Sequence, residues 1–466
     1  MRFIVSSIKH AASIKDSLYY LLSEDASKLI VCKSNFLLNL GDSIEMNNDE
    51  QMHVLNVGML PDHMLSKLEK GDTNKLYRKV LSASESLAKY EPNSGISDIE
   101  EINKRMLNKL KRSAVLFLSK LLLGSPIIIR FHNDADGSSG AYCIYKSIKG
   151  LGFEFESRIA WRMQRSIVYS SEDASSDISF ANNFSSLSKP LLLIVDFGTS
   201  LESNAGIELS KDKFDIIWLD HHPIVDGFKG VELEHYINPW LFGGDSDYTA
   251  GLLACTFSSI YSNIDEAKEI SGASLIGDYS RFAGEEGKEL SELLELITSD
   301  TKIIGSKSLT PYDIESILSS EDRKRELLSY ARLHLSEALD IAVNALKVYK
   351  GDEFNLYLLD FKNVRGDELR YPLPGRFASK LLSKIESLNG KPCIVVLHFS
   401  SFISIRLSKG LAIDLLSLTK KVKEAFSVVE SSGGHKNAVS IKLRKEEQKK
   451  EVIEFVIKEL GFGYKP

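Results

Sequence analysis

The stretch Arg130-Phe131-His132-Asn133-Asp134-Ala135-Asp136-Gly137-Ser138-Ser139-Gly140 follows directly on the apolar run Ile127-Ile128-Ile129. A short uninterrupted apolar run after Pro126 has the pattern of a strand buried on both faces, as strands of parallel sheets are. If the extended backbone continues past Phe131, side chains two apart share a side, and His132, Asp134 and Asp136 converge at the strand's C-terminal end. Gly137 then ends the strand, and Ser138-Ser139 cap a helix reaching about Lys149. Open α/β sheets bind ligands at this edge. Taken alone, a run rich in Asn, Asp and Gly reads equally as a hydrophilic turn. Other segments must decide.

Two of them repeat the pattern. Leu191-Leu192-Leu193-Ile194-Val195 is an apolar strand ending in Asp196-Phe197-Gly198, and Asp215-Ile216-Ile217-Trp218-Leu219 ends in Asp220-His221-His222-Pro223. Parallel strands bring such ends to one sheet edge. A fourth segment, Ala273-Ser274-Leu275-Ile276-Gly277-Asp278, follows a helix expected over Thr249 to Tyr261. Asp278 alone would be an ordinary loop aspartate; it gains weight from the other three.

The chain has 466 residues, enough for two or three hydrophobic cores. A net charge of -6 argues against broad coating of nucleic acid but leaves room for a local basic groove. The four cysteines are far apart with no C-x-x-C pair, so neither a disulfide framework nor a zinc site is indicated, and a reducing compartment is expected. No apolar stretch approaches the length of a membrane span, so the expectation is a soluble, cytoplasmic protein with no membrane contact.

Along the chain, residues 1–95 read as an α+β region of unknown role: a strand at Phe3 to Val5, a helix near Lys15 to Leu22, and strands at Leu29 to Cys32 and Phe36 to Leu40. His53 and His63 are isolated, and Glu91-Pro92-Asn93-Ser94-Gly95 makes a linker. Ser97 and Glu100 have capping-box spacing, so a helix starts there and runs to Leu123, with Lys104, Arg105, Lys109, Lys111 and Arg112 on its solvated side. A strand is expected over Phe153 to Ile159 and irregular chain from Ser170 to Ser188. Residues 281–350 have helical periodicity broken at Pro311 and read as a connector. From 351 to 466 a second, smaller α/β pattern runs: strands Phe354 to Leu359, Cys393 to His398, Phe402 to Leu407 and Val439 to Leu443, and helices Gly375 to Ile385, Leu415 to Phe426 and Lys445 to Leu460. Before its last strand lies Ser432-Gly433-Gly434-His435, a glycine turn that lets backbone approach a ligand closely.

Histidine with several aspartates and no cysteine suits Mn²⁺ or Mg²⁺. The number of such ligands suggests two ions, with Asp196 placed to bridge them. Paired ions stabilise the attacking and leaving oxygens of an in-line phosphoryl displacement, which makes hydrolysis of a phosphoester or phosphoanhydride the favoured reaction class.

Taken together, His132-x-Asp134-x-Asp136-Gly137, Asp196 after an apolar strand, Asp220-His221-His222, Gly277-Asp278 and the late Gly433-Gly434-His435 resemble the ordered motifs of the DHH phosphoesterase superfamily with its C-terminal substrate-binding domain. The likeness covers about residues 100 to 466 and, in size and first motif, is to the archaeal RecJ-like exonucleases, including the GINS-associated nuclease. The resemblance implies an α/β chain with a parallel-sheet catalytic domain over 96–280, the connector at 281–350 and a substrate-binding domain over 351–466. It implies His132, Asp134 and Asp196 around one metal, and Asp136, Asp196, His221 and Asp278 around the other. His222 then contacts the scissile phosphate, with Asp220 orienting the histidines. Gly433, Gly434 and His435 bind substrate phosphate or the terminal nucleotide, and Arg406 is a further phosphate contact. Ser432 departs from the family's glycine triplet, as do Val439 and Ser440 after Ala438. The function so implied is a two-metal exonuclease, Mn²⁺-dependent first and Mg²⁺-dependent second, acting on single-stranded DNA or RNA in replication or repair, with GINS and the replicative helicase as partners. Two other readings are a phosphodiesterase of oligoribonucleotides or cyclic dinucleotides, and a GINS-binding replisome scaffold with little catalysis.

Overall fold

In the computed structural model the chain forms two units, Met1–Leu294 with Ser306–Ser316, and Glu295–Gly305 with Ile317–Pro466. The structure describes residues 2–13, 16–26, 28–34, 37–45, 58–59, 68–88, 96–152, 158–364 and 371–463. The first unit opens with β1 (Arg2–Lys9), β2 (Leu18–Ser23), β3 (Leu29–Lys33), β4 (Asp42–Glu45), β5 (Gly58–Met59) and β6 (Leu68–Lys70), then α1 (Thr73–Leu87) and α2 (Ser97–Leu122). The strands form a seven-stranded sheet in the order β5-β3-β2-β1-β4-β6, its seventh member pairing with β1 from farther along the chain. The helix expected near Lys15 to Leu22 is therefore wrong over Leu18 to Leu22, which is strand. Tyr20 and Leu22 join the core that contains Met106, Leu110 and Phe117 of α2, while Tyr19 and Leu21 join a second core inside the sheet. Burial on both sides with period two overrides the helical reading. Leu37 to Leu40 is not strand. Phe36, His53, His63 and the linker at 91–95 lie outside the described residues.

After α2 come β7 (Ile127–His132), α3 (Ala135–Gly150), β8 (Ile159–Gln164), α4 (Ser171–Ala181), β9 (Phe184–Ser186), which is the strand that pairs with β1, β10 (Leu191–Val195), α5 (Asn204–Ser210), β11 (Asp215–Leu219) and β12 (His235–Ile237). Then follow α6 (Ala250–Ser259), α7 (Ala267–Gly277), α8 (Lys288–Ser299) and α9 (Pro311–Leu318). The five-stranded sheet β12-β11-β10-β7-β8 is parallel throughout. Its central strand β10 is apolar without interruption, and β7 and β11 carry apolar runs, because each feeds two cores. Ile127, Ile129, Leu191, Leu193, Ile217 and Leu219 face one core, and Ile128, Leu192, Ile194, Ile216 and Trp218 the other. From β7 the chain goes to β8 on one flank and later to β10 on the other. The gap between the ends of β7 and β10 is thus the point where strand order reverses, where doubly wound sheets bind ligands.

Two expectations fail beside this sheet. The strand foreseen at Phe153 to Ile159 runs instead from Ile159 to Gln164, where Arg162 and Gln164 made a half-buried edge look like loop; 153–157 lie outside the described residues. The irregular stretch Ser170 to Ser188 contains α4, whose Ser170 and Asp173 form a capping box, and β9. The serines and aspartates that suggested loop are used for structure. Arg130 of β7, buried, pairs with Asp177 at 2.7 Å and Asp173 at 3.0 Å, and Arg162 reaches Asp177 at 2.9 Å.

In the second unit α10 (Glu321–Ala345) leads to β13 (Lys347–Tyr349), β14 (Asn355–Asp360), α11 (Pro374–Asn389), β15 (Cys393–Phe399), β16 (Phe402–Leu407), α12 (Leu415–Ala425), β17 (Val429–His435), β18 (Ala438–Leu443) and α13 (Lys449–Glu459). The sheet order is β13-β14-β15-β16-β18-β17, with only β14 and β15 parallel. One face packs on α12 and α13, the other on α11 and on Ala338 and Ala342 of α10. The end of the expected helical connector is thus strand β13. Gly433-Gly434-His435 is the end of β17 rather than a turn; the turn is Lys436-Asn437.

Removing one partner from a buried ion pair strands the other charge and costs about 3–5 kcal/mol. Asp177→Ala is expected to cost less than that, about 1.5–3 kcal/mol of unfolding free energy in guanidinium titration, because Arg130 keeps Asp173 and Arg162 is part-exposed.

Candidate metal centre

His132 is the last residue of β7, and the chain turns into α3 sooner than alternation predicts. Asp134 is the N-cap: its Oδ1 accepts from the Gly137 amide at 2.9 Å, while Oδ2 lies 2.8 Å from His132 Nδ1. Asp136 therefore comes from the first helical turn and not from an extended strand. Gly137 allows this tight turn, since a Cβ there would fall 2.6 Å from the His132 backbone. Ser138 and Ser139 lie inside the helix and do not cap it.

Asp136 is fully buried and held by the start of α6. Its carboxylate accepts from the amides of Ala250 at 2.9 Å and Gly251 at 2.7 Å and from Ser274 Oγ at 2.5 Å. A helix N-terminus supplies amides and a favourable dipole for such an anion. Asp196 follows β10 in a left-handed conformation, φ +68°, and its amide donates to the Leu219 carbonyl at 2.9 Å. That costs backbone strain, which structure elsewhere must offset.

His221 and His222 follow β11. His221 Nδ1 donates to the Ser246 carbonyl at 2.8 Å, which fixes the ring so that Nε2 sits 3.5 Å from Asp136, 3.3 Å from Asp196 and 3.2 Å from Asp278. Asp278 ends α7, and Gly277 brings it close: a Cβ there would meet Ala135 Cβ at 2.7 Å. Asp220 accepts from Thr199 Oγ1 at 2.5 Å, from the His221 amide at 2.8 Å and from His222 Nδ1 at 2.7 Å.

The metal-ligand candidates fall into sets whose donor atoms lie within 4.8 Å of one another: His132, Asp134 and Asp196; Asp136, His221 and Asp278; and Asp196, His221 and His222. Asp196 meets both sides, with Oδ2 3.6 Å from His132 and Oδ1 3.3 Å from His221. Asp220 is in none of these sets and contacts His222, a member of one of them.

The charges point the same way. Burial, then the Asp196 and Asp278 charges, pushes the Asp136 carboxyl well above the usual range. Burial alone would lower His132 and His221, yet the neighbouring carboxylates outweigh it and hold both well above the ordinary imidazole value. Burial would raise Asp220, but His222 and His221 hold it below the usual carboxylate range. Among the described residues Asp196 Oδ2 is buried without a hydrogen-bond partner. Crowded oxygens, imidazole nitrogens and an orphaned carboxylate oxygen fit hard or borderline divalent cations.

In the second unit, Gly433 and Gly434 pair with Ser440 and Val439 across the β17/β18 ladder, and His435 pairs with Ala438. Gly434 has φ +135°, and a Cβ on it would sit 2.2 Å from the Ala438 carbonyl. Arg406 pairs with Ala438 from the other side; its guanidinium donates to the carbonyls of Val439 at 3.1 Å and Gly375 at 3.0 Å and to Ser379 Oγ at 2.8 Å. Arg406 and Gly434 thus flank one residue, Val439. The His435 side chain lies outside what is described.

The supporting groups were not legible in the sequence. Ser274, the Ala250 and Gly251 amides, Thr199 and the Ser246 carbonyl carry no motif, and their approach depends on helix packing. Equilibrium binding is expected to give two Mn²⁺ per chain, one after Asp278→Asn, and weakening at both sites after Asp196→Asn; free Mn²⁺ measured by electron paramagnetic resonance checks this.

No family model matches the chain. An uncharacterized protein of Methanocaldococcus jannaschii is 30% identical over 246 residues, which cover 48% of this chain and 32% of that protein. The match thus spans about a third of the relative's length. A structure described as the DHH domain of a member of the s1p family of ribosomal proteins superposes with a TM-score of 0.68 at 22% identity, covering 84% of this chain and 99% of the other. Mn²⁺-bound RecJ from Thermus thermophilus gives a TM-score of 0.48 at 14% identity, covering 82% and 60%. Among the described residues no helix is long and apolar enough to cross a membrane. With its parallel sheet, second mixed sheet and extent of superposition, the chain has the DHH-domain fold.

Proposed function

We propose that the chain is a metal-dependent phosphoesterase and, more finely, a two-metal exonuclease that hydrolyses phosphodiester bonds of single-stranded DNA or RNA. The observation that carries this reading is Asp196, which lies within reach of both histidine-carboxylate sets at the sheet's switch point. Two divalent ions, Mn²⁺ before Mg²⁺, would stabilise the attacking and leaving oxygens of an in-line displacement.

The protein's own part is positioning. Asp134 and Asp136 are locked by the starts of α3 and α6, and His221 by Ser246, so the donors need little rearrangement. His222 is the substrate-facing candidate: Asp220 occupies its Nδ1, which makes Nε2 the nitrogen that donates to a phosphate oxygen. Burial would lower this imidazole, but Asp220 holds it above its ordinary value, as a donor requires. Gly433, Gly434, His435 and Arg406 are assigned to the nucleotide terminus, supported by the place of the paired glycines on the edge strand β17 and by Arg406, whose guanidinium reaches the carbonyl of Val439 opposite Gly434.

Incubated with end-labelled single strands of DNA and RNA, the protein should release mononucleotides from one end only with Mn²⁺ or Mg²⁺. Asp136→Ala should lower the rate more than about a hundredfold, since each ion's charge stabilisation is worth several kcal/mol. Equal cleavage by both proteins would refute the reading, and cleavage confined to di- to tetranucleotides would favour the small-substrate phosphodiesterase. A role in replication or repair, with GINS and the replicative helicase as partners, rests on the sequence resemblance. It predicts co-elution with GINS in gel filtration that survives Asp136→Ala.

A further inference from the structure

The residues after β12 build one rim of the metal centre. Asn238 is buried, donates from Nδ2 to the His222 carbonyl at 3.0 Å, and accepts from the Trp240 amide at 3.0 Å. The short turn Pro239–Phe242 that follows ends at Gly243, φ +79°. Trp240 on this turn is 44% exposed, yet its position is fixed. Its indole Nε1 donates to the His221 carbonyl and to Ser246 Oγ, each at 3.2 Å, and Ser246 Oγ donates to the same carbonyl at 2.9 Å.

The rim is tied to the far side of the centre as well. Ser280 Oγ donates to the Asp247 carbonyl at 2.7 Å, and the Arg281 amide to the Asp247 carboxylate at 2.8 Å, two and three residues beyond Asp278. Arg281 also pairs with Asp245 at 2.6 Å and Asp247 at 2.5 Å, so one guanidinium offsets part of the charge of the two aspartates. A polyanion approaching the rim therefore meets less repulsion than the sequence of the loop suggests.

Trp240 is thus a large apolar ring, pinned by its indole N–H and its backbone amide, part-exposed, and hydrogen-bonded to the backbone carbonyl of His221, itself a metal-ligand candidate. A tryptophan whose only task is to hold the His221 carbonyl has no need of an exposed ring. An aromatic face fixed before binding loses little freedom when a flat ligand stacks on it. Every nucleobase offers such a face, and stacking tolerates any sequence and either sugar.

We propose that Trp240 is the stacking platform for the base of the nucleotide whose phosphate enters the metal centre. This rests on the nuclease reading above and adds to it the recognition of the base. The preference that follows is for a base of any identity over none.

The test compares the wild type, Trp240→Ala and Trp240→Phe on a single-stranded oligonucleotide and on the same strand with abasic residues at its attacked end. Trp240→Ala should raise KM on the natural strand roughly five- to a hundredfold, the usual loss for one stacked base, with kcat within about twofold. Trp240→Phe should keep most of the affinity. On the abasic strand the KM ratio between variant and wild type should fall to near one. Equal KM for wild type and Trp240→Ala on the natural strand overturns the proposal. So does a loss of kcat shared by both variants on both strands, which would assign the indole N–H to positioning His221. Binding is read separately from the quenching of indole emission by the natural strand, using Ca²⁺ in place of Mn²⁺. Quenching in the wild type that is lost in Trp240→Phe supports the platform even if no strand is cleaved, in which case the nuclease reading alone fails. Identical quenching in both proteins, or none in either, overturns the platform.

Discussion

The carboxylates of Asp136 and Asp196 are withdrawn from water side by side, and much of the first unit is the means of keeping them there. An isolated buried carboxylate is costly enough to take up a proton instead. Here Asp136 is met by two amides and a hydroxyl, while Asp196 faces His221 with Oδ1 and His132 with Oδ2, the latter at 3.6 Å and without a hydrogen bond. A divalent cation bound there would offset the charge of these crowded carboxylates. The left-handed backbone at Asp196 and the close approach of α7 at Gly277 both serve this arrangement.

The parallel sheet was legible because burial on both faces leaves a plain mark: residues 127–129, 191–195 and 216–219 are apolar at every position, and the histidines and aspartates lie at or just past their ends. The donor identities at His132, Asp134, Asp196 and His221 could be read from those ends. The route of Asp136 could not, because a local choice between strand and helix was settled by the cap at Asp134. Segments with mixed composition misled for a similar reason. Asp173 and Asp177 look like loop residues until Arg130 and Arg162, distant in sequence, are seen to need them. In β2, tyrosines and leucines suit either helix or strand, and only the cores on its two sides decide.

The centre is also graded from inside to outside. Asp136, Asp220 and His221 are fully buried and bound by several partners, whereas His222 and Asp278 retain some exposure. Rigid groups hold the geometry and the more open ones can meet a substrate. This order follows from the sheet edge itself, where each strand end is covered by the helix start or loop that comes next.

The two units are interleaved along the chain: the boundary is crossed after Leu294, again after Gly305 and a third time after Ser316. No single scissors cut separates them, since a cut at 294 leaves part of the first unit on the wrong fragment and a cut at 316 does the same to the second. Helix α8 is itself divided between them. Dissecting the protein therefore calls for substitutions at single positions rather than for truncation.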